Sequence, residues 1–202
     1  MSKQIKAIVF DLGNTLVHID YKPFLVNTGL DGKFNEMEIY NLLEEPTQKY
    51  EKGKIDSTSF YSIVNKELKL GITYNNFALS WCSVATDIVI GMDELIQELS
   101  IKYPLYLLSN TNELHFKYIL KIFSQLKIFN KYFLSYKIGA MKPDVEIYKY
   151  MLVNMPFKAS EILFVDDKEI NIESAKLLGI DAVHFTSTHD LIDILKMKNI
   201  LE

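Results

Sequence analysis

The 202-residue chain is 49% hydrophobic and 24% charged with a net charge of −4, the make-up of a folded globule and not of a disordered, fibrous or membrane-embedded chain. All 22 basic residues are lysine, so an anion must be gripped without a guanidinium fork, by lysine, backbone N–H groups, hydroxyls or a metal ion. An acidic balance with scattered lysines argues against a nucleic-acid partner, and the single cysteine, Cys82, excludes disulfide frameworks and multi-cysteine metal sites.

In chain order, Lys6 to Phe10 is a short apolar run that stops at the turn formers Asp11-Leu-Gly-Asn-Thr15, which reads as a buried parallel strand entering a loop. Residues 17–90 then hold three stretches with helical character, Glu36 to Lys52, Ser59 to Leu70 and Asn75 to Ile90, and no convincing strand. Glu45-Pro46, Lys52-Gly53-Lys54 and Leu70-Gly71 are read as turns between them. Further strands are expected at Pro104 to Leu108 and Ile162 to Val165, with weaker ones at Tyr132 to Tyr136 and Asp181 to Phe185. Helical spacing covers Asp93 to Lys102, Glu113 to Phe129, Asp144 to Asn154, Asn171 to Leu178 and Leu191 to Lys198. The alternation predicts an α/β fold, a Rossmann-like parallel sheet core over 1–16 and 91–202, with a small inserted helical unit over 17–90 joined by tight hinges. No charged-then-apolar leader is seen and no apolar run reaches a membrane span, so a cytoplasmic protein without a membrane partner is expected; oligomeric state is left open.

In open parallel sheets ligands sit beyond the carboxyl ends of the strands. Three strands end in Asp11, Ser109-Asn110 and Asp166-Asp167, and Lys142-Pro143-Asp144 opens a helix at the same edge. Several acids, one lysine and a hydroxyl converging there point to a divalent cation, Mg²⁺ by its preference for oxygen, and to a phosphate.

The motifs FDLGNTL at 10–16, LLSNTN at 107–112, KPDVEIY at 142–148 and FVDDKEIN at 164–171, in that order, resemble those of the haloacid dehalogenase-like superfamily of hydrolases. The resemblance spans the whole chain and is strongest to the branch that includes the bacterial α-D-glucose-1-phosphate phosphatases. It implies a Mg²⁺-dependent phosphatase acting on a small phosphorylated metabolite, a sugar phosphate first among them, through an aspartyl-phosphate on Asp11. It further implies that Ser109 and the N–H of Asn110 hold phosphoryl oxygens and that Lys142 neutralises charge. Asp11, the carbonyl of Gly13 and Asp167 would bind the metal directly, with Asp166 acting through water or from behind and Asn171 orienting.

Gly13 departs from the pattern. Most phosphatases resembled here carry a second aspartate at that position, a proton donor whose help is worth about 10²–10⁴-fold. A good leaving group, or a donor from the inserted unit with His18, Glu51 or Lys52 as candidates, would compensate. A silent protein that binds a metabolite or protein partner is the reading from another class, and 2-haloacid dehalogenation falls behind because its arginine is missing. His115, His184 and His189 read as structural or surface residues, Cys82 as core, Trp81 as core or pocket wall, and Tyr50-Glu51-Lys52-Gly53 as a turn that either dips into the site or stays exposed.

Overall fold

The computed structural model describes residues 4–202, so the first three residues of the expected core segment 1–16 lie outside the described residues. Five parallel strands form the main sheet: β1 (Ala7–Phe10), β4 (Leu105–Ser109), β5 (Lys131–Leu134), β6 (Ile162–Asp166) and β7 (Asp181–His184), in the order β5-β4-β1-β6-β7. β1, β4 and β6 are buried at every residue, which explains why their sequences run apolar without alternation. Their side chains still divide by parity. Ile8, Phe10, Leu105, Leu107, Leu163 and Val165 enter one cluster, and Ala7, Val9, Tyr106, Leu108, Ile162 and Phe164 the other.

Helices cover both faces. α5 (Met92–Lys102), α6 (Glu113–Ile122) and α10 (Thr188–Met197) pack on the first cluster, and α8 (Val145–Val153) and α9 (Glu169–Leu177) on the second. The expected α/β class therefore holds, as a three-layer sandwich with crossover helices on each side. The expected helix 113–129 is shorter: it ends at Ile122 and resumes as a 3₁₀ turn, Ser124–Ile128, which tucks Leu126 inward. The strand expected at 132–136 yields after Leu134 to a one-turn helix, α7 (Ser135–Ile138), closed by left-handed Gly139.

Residues between β1 and α5 build a third cluster of their own from α1 (Lys22–Asn27), α2 (Glu36–Glu51), α3 (Ser57–Glu67) and α4 (Tyr74–Cys82), around Phe24, Phe60, Phe77 and Trp81. α1 was not anticipated, and two further expectations fail here. The first is the absence of strands. Val17–Ile19 (β2) and Ala85–Ile88 (β3) pair antiparallel, and Val89 N–H to Leu16 O and Asp20 N–H to Val84 O bracket the ribbon. The 75–90 helix stops at Cys82, where the Ser83 hydroxyl donates back to Ser80 O, and the β-branched run that follows suits a strand. The second is the turn at Glu45-Pro46, where α2 runs straight through. An interior proline costs about 3 kcal/mol. Burying Ile39, Leu43 and Tyr50 on one face of the same helix returns about 1.5–3 kcal/mol each, so burial wins. A reciprocal capping box between Asn35 and Glu38 fixes the start of that helix.

Candidate active site

The sheet order sets Asp11 between two neighbours that carry chemistry. β1 lies between β4 and β6, and the Asp11 N–H donates to Val165 O at 2.8 Å, so the residue after β1 stands beside Asp166, the last residue of β6. After Asp11 the chain turns sharply. Asn14 sits at φ 57, a left-handed conformation that asparagine tolerates, and its side-chain oxygen accepts from the N–H of Ile19. The asparagine of the 10–16 motif is thus a turn former.

Lys142 reaches this edge from the loop before α8, with a side chain only 2% exposed, and its ammonium bonds both Asp11 and, at 2.6 Å, Asp166. Burial pushes the lysine's pKa down, but the two carboxylates outweigh it and hold the pKa above its ordinary value. Asp11 moves the other way. Burial, reinforced by Asp166 and Asp167 and opposed by Lys142, raises its carboxyl to about 7. Asp166 is fully buried and saturated, since it also accepts from Lys168 N–H at 2.9 Å and from the Asn171 amide at 2.8 Å. Asn171 is held in turn by Tyr148, whose hydroxyl donates to its carbonyl. Asp167 has no donor side chain on it among the described residues, and burial with Asp166 nearby raises its pKa. Oxygens of Asp11, Asp166 and Asp167 all lie within 4.8 Å of one another.

Ser109, at 1% exposure, and Asn110 close the other side. The Asn110 side chain makes a two-way bond with the main chain of Lys142, accepting its N–H and donating to its carbonyl, both at 2.8 Å. That side chain is a clamp holding the lysine loop to β4.

A cavity of about 510 Å³ opens over the cluster. Its floor includes Asp11, Gly13, Ser109, Asn110, Lys142 and Asp167, and its roof comes from α2 through Tyr40, Leu43, Glu44, Thr47, Gln48 and Glu51. All the sequence-predicted site residues except Asp166, which lies behind the floor, therefore reach one cavity. Of the candidates to replace the missing acid at Gly13, Glu51 lines it, whereas His18 and Lys52 do not, and His18 is exposed. His184 and His189 are also exposed. Cys82 is buried, and burial pushes its thiol up to about 11, which suits a core role.

His115 and Trp81 turn out to be both core and wall. Their rings stack at 5.1 Å, the imidazole Nε2 donates to Trp81 O, and Nδ1 accepts from the Asn112 amide. Burial lowers the pKa of this histidine to about 4, so it is neutral. Among the described residues the Trp81 indole N–H has no partner, although the side chain is fully buried and lines the cavity. Sequence reasoning missed Lys168 and the α2 residues Tyr40, Glu44, Thr47 and Gln48. Lys168 directly follows the acid pair, a signal that could have been read. Which α2 side chains face the strand ends depends on how that helix docks on the sheet, and nothing local shows this.

The sequence pattern of the haloacid dehalogenase-like hydrolases matches residues 5–179. The chain is 31% identical to a D-ribitol-5-phosphate phosphatase of Bacteroides thetaiotaomicron over 88% of its length and 90% of the relative's. It is 24% identical to the sesquiterpene phosphatase astK of Aspergillus oryzae, over 93% of each chain. A crystal structure of a haloacid dehalogenase-family enzyme from B. thetaiotaomicron, in complex with magnesium and inorganic phosphate, superposes with a TM-score of 0.83 at 29% identity, covering 94% of this chain and 98% of that one.

Proposed function

The chain belongs to the haloacid dehalogenase-like hydrolases, and on that footing we propose that it hydrolyses a small sugar or polyol phosphate at the Asp11 cluster, through a phosphoryl group carried on Asp11. It is a phosphatase of that family and its cofactor is Mg²⁺. The donor set fits the ion. Three carboxylates against one ammonium leave two negative charges in excess among oxygen ligands, which a hard divalent cation matches. Asp11, Asp167 and the Gly13 carbonyl would hold it, with Asp166, occupied by Lys142, Lys168 and Asn171, orienting from behind. Bound there, Mg²⁺ supplies charge neutralisation for the transferring phosphoryl group.

The chain's own residues divide the rest. Asp11 attacks phosphorus in line, and water later attacks the phosphorus of the Asp11 phosphoryl group and frees the carboxylate. Ser109 and the Asn110 N–H donate to phosphoryl oxygens while Lys142 offsets their charge. Residues 17–90 serve as a cap that covers the substrate and excludes water, over a core made of 1–16 and 91–202. The observation that carries the reading is the Asp11–Lys142–Asp166 triad, buried at the strand ends beneath a cavity open to solvent. Polar α2 side chains on the walls favour a hydroxyl-rich substrate. The lack of arginine removes the halide grip of the dehalogenases. A silent binding protein is disfavoured because the buried charges are costly to keep without a reaction to run.

The test is phosphate release from a panel that includes ribitol 5-phosphate and glucose 1-phosphate, with Mg²⁺ and with chelator. Release that needs Mg²⁺ and vanishes in Asp11→Asn is expected. No release from any member, or an Asp11→Asn variant as active as the wild type, would sink the proposal.

A further inference from the structure

Gly13 stands where a proton donor is expected, and the space beside it is tight: a Cβ built there would meet Ile19 Cγ1 at 3.3 Å. The protons for the leaving oxygen and the attacking water must come from elsewhere in the cavity. Among the described residues, its carboxylates outside the metal-binding cluster are Glu44 and Glu51, both on α2. The Glu51 carboxyl is close enough to the chemistry to feel the charges of Asp11 and Lys142.

The last turn of α2 is tied to the core on both sides of Glu51. The Tyr50 ring stacks on Phe60 within the helical unit at 4.7 Å, and its hydroxyl accepts from Leu114 N–H on the core helix α6. Lys52 pairs with Asp144 at 3.5 Å, beside the catalytic lysine loop. Gly53, at φ 63, lies so close to the core that a Cβ would come within 2.2 Å of Tyr136 O, so only glycine fits. These contacts, from Tyr50, Lys52 and Gly53 on either side of Glu51, hold the end of α2 against the core beside the cavity that Glu51 lines.

On the phosphatase reading above, we propose that Glu51 is the acid and base of this active site, taking the part that Gly13 leaves vacant. In the first step Asp11 bonds to phosphorus, the bond to the leaving oxygen breaks, and that oxygen takes the Glu51 proton and departs as an alcohol. In the second, water attacks the phosphorus of the Asp11 phosphoryl group while Glu51 accepts the water's proton, and phosphate and the starting enzyme result. The surroundings agree with a donor. Burial raises the carboxyl to about 7, Asp11 adds to the rise, and Lys168 and Lys142 oppose it. Tyr21 faces the same carboxyl from the start of α1, and its own pKa is raised by burial and by Glu51. Because Glu51 comes from the cap and its partners from the core, protonation chemistry is complete only in the closed form.

Glu51→Gln separates the possibilities when kcat/KM, which reports the first step, is measured with Mg²⁺ on two probes. Phenyl phosphate leaves as a poor leaving group that needs a proton, and dinitrophenyl phosphate leaves without one. The expected loss is about 10²–10⁴-fold on phenyl phosphate and much smaller on dinitrophenyl phosphate, whose turnover also shows that the variant is folded. Equal losses on both probes, or none on phenyl phosphate, overturn the proposal. Asp11→Asn run beside it should lose both probes; wild type inactive on both probes and on the sugar-phosphate panel would instead overturn the phosphatase reading itself, and this proposal with it.

Discussion

Replacing Lys142 by methionine keeps the stem's volume but deletes the one cation in the buried triad. Its side chain is 2% exposed, with Asp11 and Asp166 at 9% and 0%, so water cannot replace the lost ammonium. Breaking a buried pair in this way costs about 3–5 kcal/mol, because a charge is left uncompensated. Two hydrogen bonds to ionised groups, at about 1.5–3 kcal/mol each, give a similar figure. Asp11 can escape part of the cost by protonation. Its folded pKa is raised from 3.8 to about 7 even with Lys142 present, so the native state binds the proton better than the unfolded chain and stability falls as pH rises through that window. The measurement is therefore urea unfolding at pH 8 in chelator, where protonating Asp11 offsets less of the cost than it does at neutral or acidic pH. With a slope near 3 kcal/mol per molar, the midpoint should drop by about 1–2 M. Adding Asp166→Asn to Lys142→Met should recover part of that loss, since it removes one orphaned charge. A Lys142→Met variant within about 1 kcal/mol of wild type, or a double variant whose losses simply add, would refute the argument that the lysine offsets two buried carboxylates.

Three other outcomes follow from the geometry. Because His115 is depressed from 6.5 to about 4, the unfolded chain binds its proton more readily; wild type should lose up to about 3 kcal/mol from this group as pH falls from 6.5 to 4, a slope that His115→Phe removes in paired urea titrations. Asn110→Ala deletes both bonds that clamp the Lys142 main chain, so kcat should fall at least tenfold for a stability cost of about 1–3 kcal/mol by calorimetry; an unchanged kcat would show that the clamp does not position the lysine. Trp81→Phe removes the free indole N–H while keeping a ring against His115. Because an unpaired buried donor costs about 1–3 kcal/mol, its removal should offset much of the lost packing and keep the stability change in urea unfolding within about 2 kcal/mol; a larger loss would contradict an unsatisfied N–H.

The main sheet and the floor of the site were legible because both are local in sequence. Apolar runs ending in Asp11, Ser109 and Asp166 announce parallel strands and place their last residues at one edge, whatever the helices do. The β2–β3 ribbon escaped notice because its partners lie about seventy residues apart and each is four residues or fewer. Pro46 misled for the opposite reason, since a strong local signal was overruled by burial of Ile39, Leu43 and Tyr50 that only tertiary packing reveals. The placement of Glu51 and Trp81 on the cavity also depends on that packing. Of the three candidates, Glu51 is the one that the seating of α2 brings to the cavity, and Trp81 shows its unpaired N–H only once its neighbours are known.

The central claim is that Asp11 carries the phosphoryl group. Rapid acid quenching of the enzyme during turnover of dinitrophenyl phosphate with Mg²⁺, followed by peptide mass mapping, tests it directly. The account predicts a phosphoryl adduct on the peptide containing Asp11, formed only with Mg²⁺ and absent from Asp11→Asn. A phosphorylated residue elsewhere, or steady turnover by Asp11→Asn at the wild-type rate, would contradict it.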